Sequence, residues 1–296
     1  MNKLKVSFAE SFNGMIHDIY EWYANTIPFC DKGIAEWCES VPLDEAEIVH
    51  AGQVGEQAAI PFLLPSTTLP IVVDIEGDRA YDNFRPDLGD AVRVCCGAPL
   101  EWRGTRSFAR PTMSRFLVHA AREIHAKFPK AIYNSLGFIG KTDSRGIRQK
   151  MARASAGLPA SICLQQDWHG PSELNHPARS SFAHSMIGCG SALCPMGEGV
   201  ATSRFYEACF YGRHPVVIGE TMVLGDGYVD LGFVTQIDAR LTEAAMREAL
   251  VEVCEMPLSE VQDRGKAAQA YFETTVREYF ADPTLAFIKW FRSDRL

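Results

Sequence analysis

Arg204 and Glu207 are the two residues of this 296-residue chain whose types and spacing point most directly to chemistry. They lie three positions apart in a segment with helical periodicity, so both side chains project from one face of the helix. An arginine offers a permanently charged, forked set of donors for a diphosphate, and a glutamate accepts hydrogen bonds from the vicinal hydroxyl groups of a ribose. The pair therefore predicts a nucleotide site. The alternative is an i,i+3 ion pair on an exposed helix beside an ordinary loop.

The loop in front of this helix is rich in glycine. Gly197 and Gly199 follow the end of a predicted buried strand, and Thr202 or Ser203 is suited to cap the helix. Glycine lets a ligand approach the backbone closely, and the free amides and dipole at a helix start favour phosphate oxygens. We therefore expect Gly197, Gly199 and Ser203 to contact the phosphates of a bound nucleotide.

The middle of the chain is basic, although the whole chain is acidic with a formal net charge of −8. Residues 101–155 contain twelve Lys or Arg and three Asp or Glu, a local net charge of +9 that leaves −17 for the remainder. Lys141, Arg145 and Arg148 belong to this stretch, and we expect them to attract an anionic ligand such as a diphosphate. A solvated basic face explains the same pattern. The overall negative charge argues against a general nucleic-acid-binding protein.

A carboxylate for proton transfer is predicted at the end of an earlier strand. In residues 73–78, acidic side chains follow a predicted parallel strand, and open α/β sheets bind ligands at such strand ends. Asp78 and Asp74 are the candidates for a general base that removes the proton of an attacking hydroxyl group. The same residues also fit an ordinary acidic turn, or a divalent-cation site of the Asp-x-Asp type, which we rank lower.

Composition indicates a folded protein, which we expect in the cytoplasm. Hydrophobic residues make up 47% of the chain, no apolar run approaches the roughly 20 residues that span a bilayer, and the N-terminus lacks the apolar core of a secretory signal. Nine cysteines in mostly apolar segments, without zinc spacing, indicate reduced core thiols. His50, His169 and His184 fall near predicted loops or strand ends, where a structural role is favoured over a functional one.

Short β-type runs alternate with amphipathic helical runs, which predicts parallel sheets in an α/β fold. The first series has strands at 4–8, 47–51, 69–74 and 91–95, and helices at 15–27 and 111–128. The second has strands at 136–140, 161–165, 191–195 and 215–219, and helices at 145–154, 180–187 and 203–211. Helical runs at 242–255 and 258–280 and an aromatic segment follow. Because one sheet would be very wide, we predict two Rossmann-like lobes facing each other across a cleft.

Residues 191–218, which contain Arg204 and Glu207, resemble the donor-binding signature of the exostosin-like family of GT-B glycosyltransferases. Residues 137–148 are similar to the first strand and basic loop of that family's C-terminal lobe. Further similarity at 181–186, at 230–233 and in the closing helices extends the resemblance over about residues 135–295, whereas the N-terminal lobe matches poorly. The family implies a GT-B fold, a nucleotide-sugar donor and transfer to a carbohydrate hydroxyl group, usually without an essential metal.

We therefore predict a GT-B glycosyltransferase with an acceptor lobe at 1–130, a nucleotide-sugar-binding lobe at 131–280 and a C-terminal helix at 281–296. Its partners are a nucleotide-sugar donor and a carbohydrate or glycan acceptor, in glycan or surface-polysaccharide synthesis, and no cofactor is required. Positive charge is expected to stabilise the departing nucleoside diphosphate, from Lys141, Arg145, Arg148 and Arg204. The alternatives are a non-catalytic nucleotide- or carbohydrate-binding protein and a sugar-nucleotide epimerase. The oligomeric state is left open.

Overall fold

The computed structural model of the chain describes residues 2–8, 34–54, 67–75, 92–95, 107–109, 131–142, 146–165, 185–196, 203–219, 223–224, 227–228, 231–277 and 283–293. The helices predicted at 15–27 and 111–128 lie outside these ranges. Internal contacts divide the chain into two units, the first comprising Met1–Pro111, Met222–Val229 and Arg277–Leu296, the second Thr112–Thr221 and Asp230–Val276. The chain thus leaves the first unit and returns to it twice.

The strands of the described residues are, in chain order, β1 Leu4–Phe8, β2 Cys38–Ser40, β3 Ile48–Val54, β4 Ile71–Ile75, β5 Val92–Cys95, β6 Ser107–Ala109, β7 Leu136–Lys141, β8 Ala160–Gln165, β9 Ser191–Pro195, β10 His214–Ile218, β11 Val223–Leu224, β12 Gly227–Tyr228 and β13 Thr235–Ile237. The helices are α1 Ile34–Trp37, α2 Ile147–Ala154, α3 Ser203–Phe210, α4 Glu243–Glu255, α5 Leu258–Tyr271 and α6 Pro283–Ser293. A 3-10 turn covers Leu43–Glu45 and a π-helical segment covers Phe272–Val276. Residues 185–188 form a further helical turn.

Both units are built on a parallel sheet with the same kind of strand order. The first sheet runs β2-β1-β3-β4-β5-β6 and the second β13-β10-β9-β7-β8, and their strand pairs are parallel. The five strands of the second sheet can be numbered along the chain from β7 to β13 as first to fifth. Read across the sheet from β8, their order is second, first, third, fourth, fifth, which is the order of a doubly wound sheet. Its order reverses between the first and third strands, β7 and β9, and ligands of such sheets bind beside that point at the carboxyl ends of the strands.

Alternating side chains give the second sheet two buried faces. Leu136, Phe138 and Leu193 share one hydrophobic core with α2 and α4. Both helices bury side chains at i, i+4 and i+7 spacing, namely Ile147, Met151 and Ala154 in α2 and Met246, Leu250 and Val253 in α4. Ala192 and Cys194 have the opposite parity and are buried on the other face, where α3 packs on β9. Helices therefore cover both faces, and the strand ends are left for a ligand.

The last helix of the chain belongs to the core of the first unit. Phe287, Ile288 and Phe291 of α6 are buried in one cluster with Leu4 and Val6 of β1. Full burial of a large apolar side chain stabilises a fold by about 1.5–3 kcal/mol. The aromatic end of the sequence is therefore a structural element of the first unit.

The predicted α/β class with two Rossmann-like units is confirmed. β1 and β9 have the predicted bounds, and α2 begins two residues later than predicted because Gly146 has a left-handed φ of 71°. The helix predicted over 258–280 is interrupted, since α5 ends at Tyr271 and the π-helical segment follows. The short strands β2, β6 and β13 were not predicted. Within the described ranges, every helix is too short or too polar to cross a bilayer.

Candidate functional site

The Arg204–Glu207 pair lies in the first turns of α3 and is buried. Arg204 Nη1 donates to Glu207 Oε2 at 2.7 Å, and the two side chains are 9% and 1% exposed. The two residues therefore form the i,i+3 ion pair of the alternative interpretation, but the pair is buried and not exposed. Taking two charges out of water costs several kcal/mol per ion, so buried ion pairs add little net stability. This burial favours a role in binding over a role in stability alone.

Arg204 also joins α3 to the first strand of its sheet. Its Nη2 donates to the carbonyl oxygen of Ile139 at 2.6 Å, and Ile139 is the fourth of six residues in β7. In chain order, β7 is the first strand of this sheet, and α3 directly follows the third strand, β9. The bond therefore connects the first strand to the helix that follows the third. The pair therefore lies where the strand order reverses, which is the ligand position of a doubly wound sheet.

One carboxylate oxygen of Glu207 has no hydrogen-bond partner. Oε2 is held by Arg204, whereas Oε1 is buried and finds no donor among the described residues. A buried acceptor without a partner costs about 1–3 kcal/mol, and such atoms are rare in native proteins. A carboxylate oxygen can accept more than one hydrogen bond, so hydroxyl groups of a ligand would satisfy it. Oε1 is therefore the atom of this site that a ligand is expected to contact.

Phe138 has two guanidinium groups over its ring. The Cζ of Arg204 lies 5.6 Å and the Cζ of Arg148 lies 5.7 Å from the ring centroid, within the range of cation–π attraction. Arg148 Nη1 also donates to the carbonyl oxygen of Lys141 at 2.9 Å. Lys141 is the last residue of β7 and is exposed. The structure therefore brings three of the predicted basic residues to the carboxyl end of β7, where they favour an anionic ligand.

Gly140 provides the space for the Phe138 ring. A Cβ atom built on Gly140 would lie 2.7 Å from Phe138 Cζ, so a larger residue would displace the ring and the cations over it. Phe138 and the Ile139 carbonyl were not predicted as parts of the site. The signal available in the sequence is an aromatic residue between two glycines, Gly137 and Gly140, at the end of a predicted strand.

The remaining predicted site residues are described only in part. Four of them lie outside the described residues, namely Asp78, Arg145, Gly197 and Gly199. Ser203 is the first residue of α3, and Asp74 is the fourth of five residues in β4, near its carboxyl end. The roles expected of these six residues remain predictions.

Burial shifts the pKa values of the buried histidines and cysteines away from neutral pH. Burial lowers the pKa of His50 to about 3, and His50 lies in β3 as the register partner of Phe8. Burial raises the pKa of the Cys189 thiol to about 12. Free thiols that are buried occur at Cys38, Cys189, Cys194 and Cys209, whereas the Cys254 thiol is partly buried and the Cys163 thiol is exposed. No group of three side chains suited to hold a metal ion occurs in the part of the chain that the structure describes.

No protein-family model matches the chain, and no curated protein matches it. Solved structures that it partly resembles include the α,α-trehalose-phosphate synthase (UDP-forming) of Burkholderia vietnamiensis, with 12% identity, a TM-score of 0.44 and coverage of 75% of this chain and 69% of that chain. The α,α-trehalose 6-phosphate synthase of Burkholderia multivorans has 12% identity and a TM-score of 0.44, with coverage of 77% and 67%. MurG of Acinetobacter baumannii has 9% identity and a TM-score of 0.35, with coverage of 69% and 63%. At TM-scores below 0.5, these similarities assign no family to this chain.

Proposed function

We propose that this protein is a glycosyltransferase that moves a sugar from a nucleotide-sugar donor to a carbohydrate hydroxyl group. The observation that carries the proposal is Glu207 Oε1, a buried acceptor without a partner among the described residues, beside the point where the strand order of a parallel sheet reverses. A vicinal diol would supply the missing donors, and a ribose is the diol that a nucleotide brings. The resemblance of residues 137–148 and 191–218 to the exostosin-like signature supports the same donor and a GT-B arrangement of the lobes.

The cations around β7 would hold the phosphates of the donor. Lys141 is exposed at the strand end, Arg148 lies over the Phe138 ring, and Arg145 precedes Arg148 by three residues. We assign these three basic residues to the diphosphate, and glycines 197 and 199 would allow its close approach to the backbone. Preorganised positive charge stabilises a departing nucleoside diphosphate, because negative charge develops on it in the transition state.

Sugar transfer forms one bond and breaks another at the anomeric carbon. The acceptor oxygen attacks that carbon, the bond from the carbon to the phosphate oxygen breaks, and the acceptor proton passes to a base. We propose Asp78 or Asp74 as this base, because β4 ends at Ile75 and strand carboxyl ends carry the ligand sites of open α/β sheets. In this scheme the basic side chains, not a metal ion, neutralise the leaving group.

Binding and turnover assays test the proposal. Calorimetric titration with UDP, GDP, dTDP and CMP identifies the nucleotide, and incubation with the corresponding sugar nucleotides, with and without added glycans, identifies the products. Glu207→Ala is expected to abolish nucleotide binding, since it removes the buried acceptor. Glu243→Ala is the matched control, because Glu243 is a glutamate of the same unit whose side chain is 47% exposed.

The outcomes separate the alternatives. Sugar transfer that depends on an added glycan supports the proposal, whereas nucleotide binding without donor turnover indicates a non-catalytic binding protein. Conversion of the donor sugar without any acceptor indicates an epimerase, and failure of the wild-type protein to bind any nucleotide refutes the proposal. Added EDTA is expected to leave turnover unchanged; loss of turnover would place a metal ion in the mechanism instead.

A further inference from the structure

We propose that an open groove at the amino ends of β7 and β8 is a second carbohydrate-binding site, separate from the donor site, which holds a neutral oligosaccharide against the ring of Tyr133. The choice of a carbohydrate as the occupant rests on the proposed function, in which a glycan is the acceptor. The groove would hold a part of that glycan remote from the hydroxyl group that reacts.

The groove and the donor site lie at opposite ends of β7. The groove has a volume of about 670 Å³ and is formed by the segment before β7, the start of β8 and the start of α5. Leu136 and Ala160, which begin the two strands, are register partners. β7 has six residues, so its carboxyl end lies about 15–20 Å away. A ligand in the groove and a nucleotide beside Glu207 would therefore occupy different sites.

Exposed apolar side chains are concentrated in this groove. Four large hydrophobic residues are exposed in the part of the chain that the structure describes, and three of them line it. These are Tyr133, Ile132 and Leu258, with exposed fractions of 67%, 51% and 36%. Such a concentration marks a binding surface. An exposed aromatic ring can cover the C–H face of a sugar ring while the hydroxyl groups at the edge of the sugar stay available for hydrogen bonds.

Asn134 supplies a hydrogen-bond acceptor in the lining of the groove. Its Nδ2 donates to three carbonyl oxygens at the end of α4, at 2.7–2.9 Å, which fixes the orientation of the amide group. Its Oδ1 is buried and has no hydrogen-bond partner among the described residues. Buried acceptors are rarely left without a partner. A hydroxyl group of a ligand, or a water molecule beneath the ligand, would supply the donor.

The first turn of α5 supplies donors. Leu258 is the first residue of this 14-residue helix and lines the groove. Pro257 at the N-cap makes no side-chain cap hydrogen bond, so the amides of the first turn lack the usual capping acceptor. Ser135 and Ser161 add hydroxyl groups to the lining, and a hydroxyl group can donate or accept. The groove thus offers both donors and acceptors, as the hydroxyl groups of a sugar require.

The charge of the surroundings favours a neutral ligand. None of the described residues that line the groove is charged. Residues 248–266, which cover the end of α4 and the start of α5, contain five acidic and two basic residues, a local net charge of −3. This end of α4 adjoins the groove, because Asn134 is bonded to it. Negative charge repels an acidic polysaccharide, a nucleic acid or an anionic membrane, whereas it leaves a neutral glycan unaffected.

Titration with defined oligosaccharides tests the site. Cellohexaose, maltohexaose, xylohexaose and chitohexaose are the neutral probes, and hexagalacturonate is the acidic one. We expect the wild type to bind at least one neutral probe more tightly than hexagalacturonate. Tyr133→Ala should weaken that binding at least about tenfold, since aromatic side chains dominate such contacts. Tyr133→Phe should stay within about twofold of the wild type, because the ring and not its hydroxyl group covers the sugar.

Leu43→Ala is the matched control, since Leu43 is the exposed large hydrophobic residue of the described chain that lies in the first unit, and it should keep the wild-type affinity. Failure of the wild type to bind any neutral probe, or binding by Tyr133→Ala that equals the wild type, would overturn the site. Tighter binding of hexagalacturonate would overturn the preference for neutral glycans. Sedimentation as a dimer that Tyr133→Ala dissociates, without oligosaccharide binding, would assign the groove to a second copy of the chain.

Parallel titrations with UDP and GDP keep this inference distinct from the proposed function. Tyr133→Ala should bind the nucleotide with the affinity of the wild type, and a saturating nucleotide should leave the oligosaccharide affinity unchanged. Nucleotide binding by a protein that binds no oligosaccharide through Tyr133 would refute the groove alone. Oligosaccharide binding that depends on Tyr133, in a protein that binds no nucleotide, would refute the proposed function and leave the groove as the site of a carbohydrate-binding protein.

Discussion

His214 Nδ1 lies 3.0 Å from the hydroxyl oxygen of Ser191, its register partner on the neighbouring parallel strand. On its other side, His214 Nε2 lies 2.9 Å from Thr235 Oγ1. A neutral imidazole has one donor and one acceptor nitrogen, so it can bond both hydroxyl groups at once. Since these residues begin β9, β10 and β13, the ring connects three strands at their amino ends, the edge opposite to Glu207.

The stability of the fold should depend on pH through His214. Burial, with a smaller effect of the Arg264 charge, lowers the pKa of His214 from 6.5 to about 3. Between these pH values the unfolded state binds a proton and the folded state does not, so the free energy of unfolding decreases as the pH falls below 6.5. For this residue we expect a loss of about 2 kcal/mol between pH 7 and pH 5, and almost no pH dependence above pH 7.

Urea unfolding of the wild type and of His214→Gln at pH 7 and pH 5 measures this contribution. The variant should lose less stability on acidification than the wild type. His50, whose pKa is also lowered to about 3, is present in both proteins and cancels in the comparison. Equal losses in the two proteins would show that His214 is not held neutral by the fold.

The Arg204–Glu207 pair should show the behaviour of a buried ion pair. Arg204→Met leaves the Glu207 charge buried without compensation, so we expect a destabilisation of about 3–5 kcal/mol, and a smaller one in the double variant Arg204→Met/Glu207→Gln. Arg153→Met, which breaks an ion pair whose side chains are 61% and 47% exposed, should cost less than about 1 kcal/mol. Urea unfolding measures all three. A double variant as unstable as Arg204→Met would argue that packing, not charge, makes Arg204 important.

Gly265 of α5 lies against the carbonyl oxygen of Gly212, and a Cβ atom does not fit between them. Gly212 has a left-handed φ of 61° in the turn after α3. In an ordinary helix interior, alanine is more stable than glycine by about 1 kcal/mol. Here the backbone would have to move, so we expect Gly265→Ala to destabilise the protein by about 1–3 kcal/mol.

Thermal unfolding with Gly232→Ala as the control tests this contact. A Cβ atom on Gly232 meets nothing within 4 Å, and the expected change is within about 0.5 kcal/mol. A Gly265→Ala protein more stable than the wild type would contradict the close approach of α5 to the turn.

Asn134 connects the segment before β7 to the end of α4. Its Nδ2 lies 2.7–2.9 Å from three carbonyl oxygens, those of Val253, Cys254 and Met256. Asn134→Asp removes the donor and places a negative charge near the negative end of a helix dipole, so we expect a loss of about 2–3 kcal/mol. Asn134→Ala should destabilise less. Thermal unfolding ranks the three proteins, and an Asp variant as stable as the wild type would exclude this role.

The parts of the fold that could be predicted are those in which several residues share one periodic pattern. The bounds of β9, whose five residues are all buried, and the bounds of α4 were predicted to within a residue. β13 and β2 have only three residues each and contain too little pattern to recognise. The strand order was not predicted, because alternation of strands and helices indicates parallel pairing without saying which strands are neighbours.

The part of the candidate site that is formed by residues close together in the sequence could be predicted. The meeting of Arg204 and Glu207 follows from their i,i+3 spacing on one helix. The burial of the pair and its bond to Ile139 could not be predicted in this way. Ile139 is 65 residues away from Arg204 along the chain, and the pairing of β7 with β9 brings the two residues together. Phe138 was missed for the same reason, since nothing near it in the sequence indicates that Arg204 approaches its ring.

Because Phe287 and Ile288 of α6 pack around Leu4 and Val6 of β1, the first unit joins nearly opposite ends of the chain in one core. Contacts of such large sequence separation form late, since closing the intervening loop is opposed by chain entropy. The second unit comprises Thr112–Thr221 and Asp230–Val276 and needs no such closure. We therefore expect the second unit to fold without this long-range closure, and the apolar face of β1 to be covered only after α6 has been synthesised.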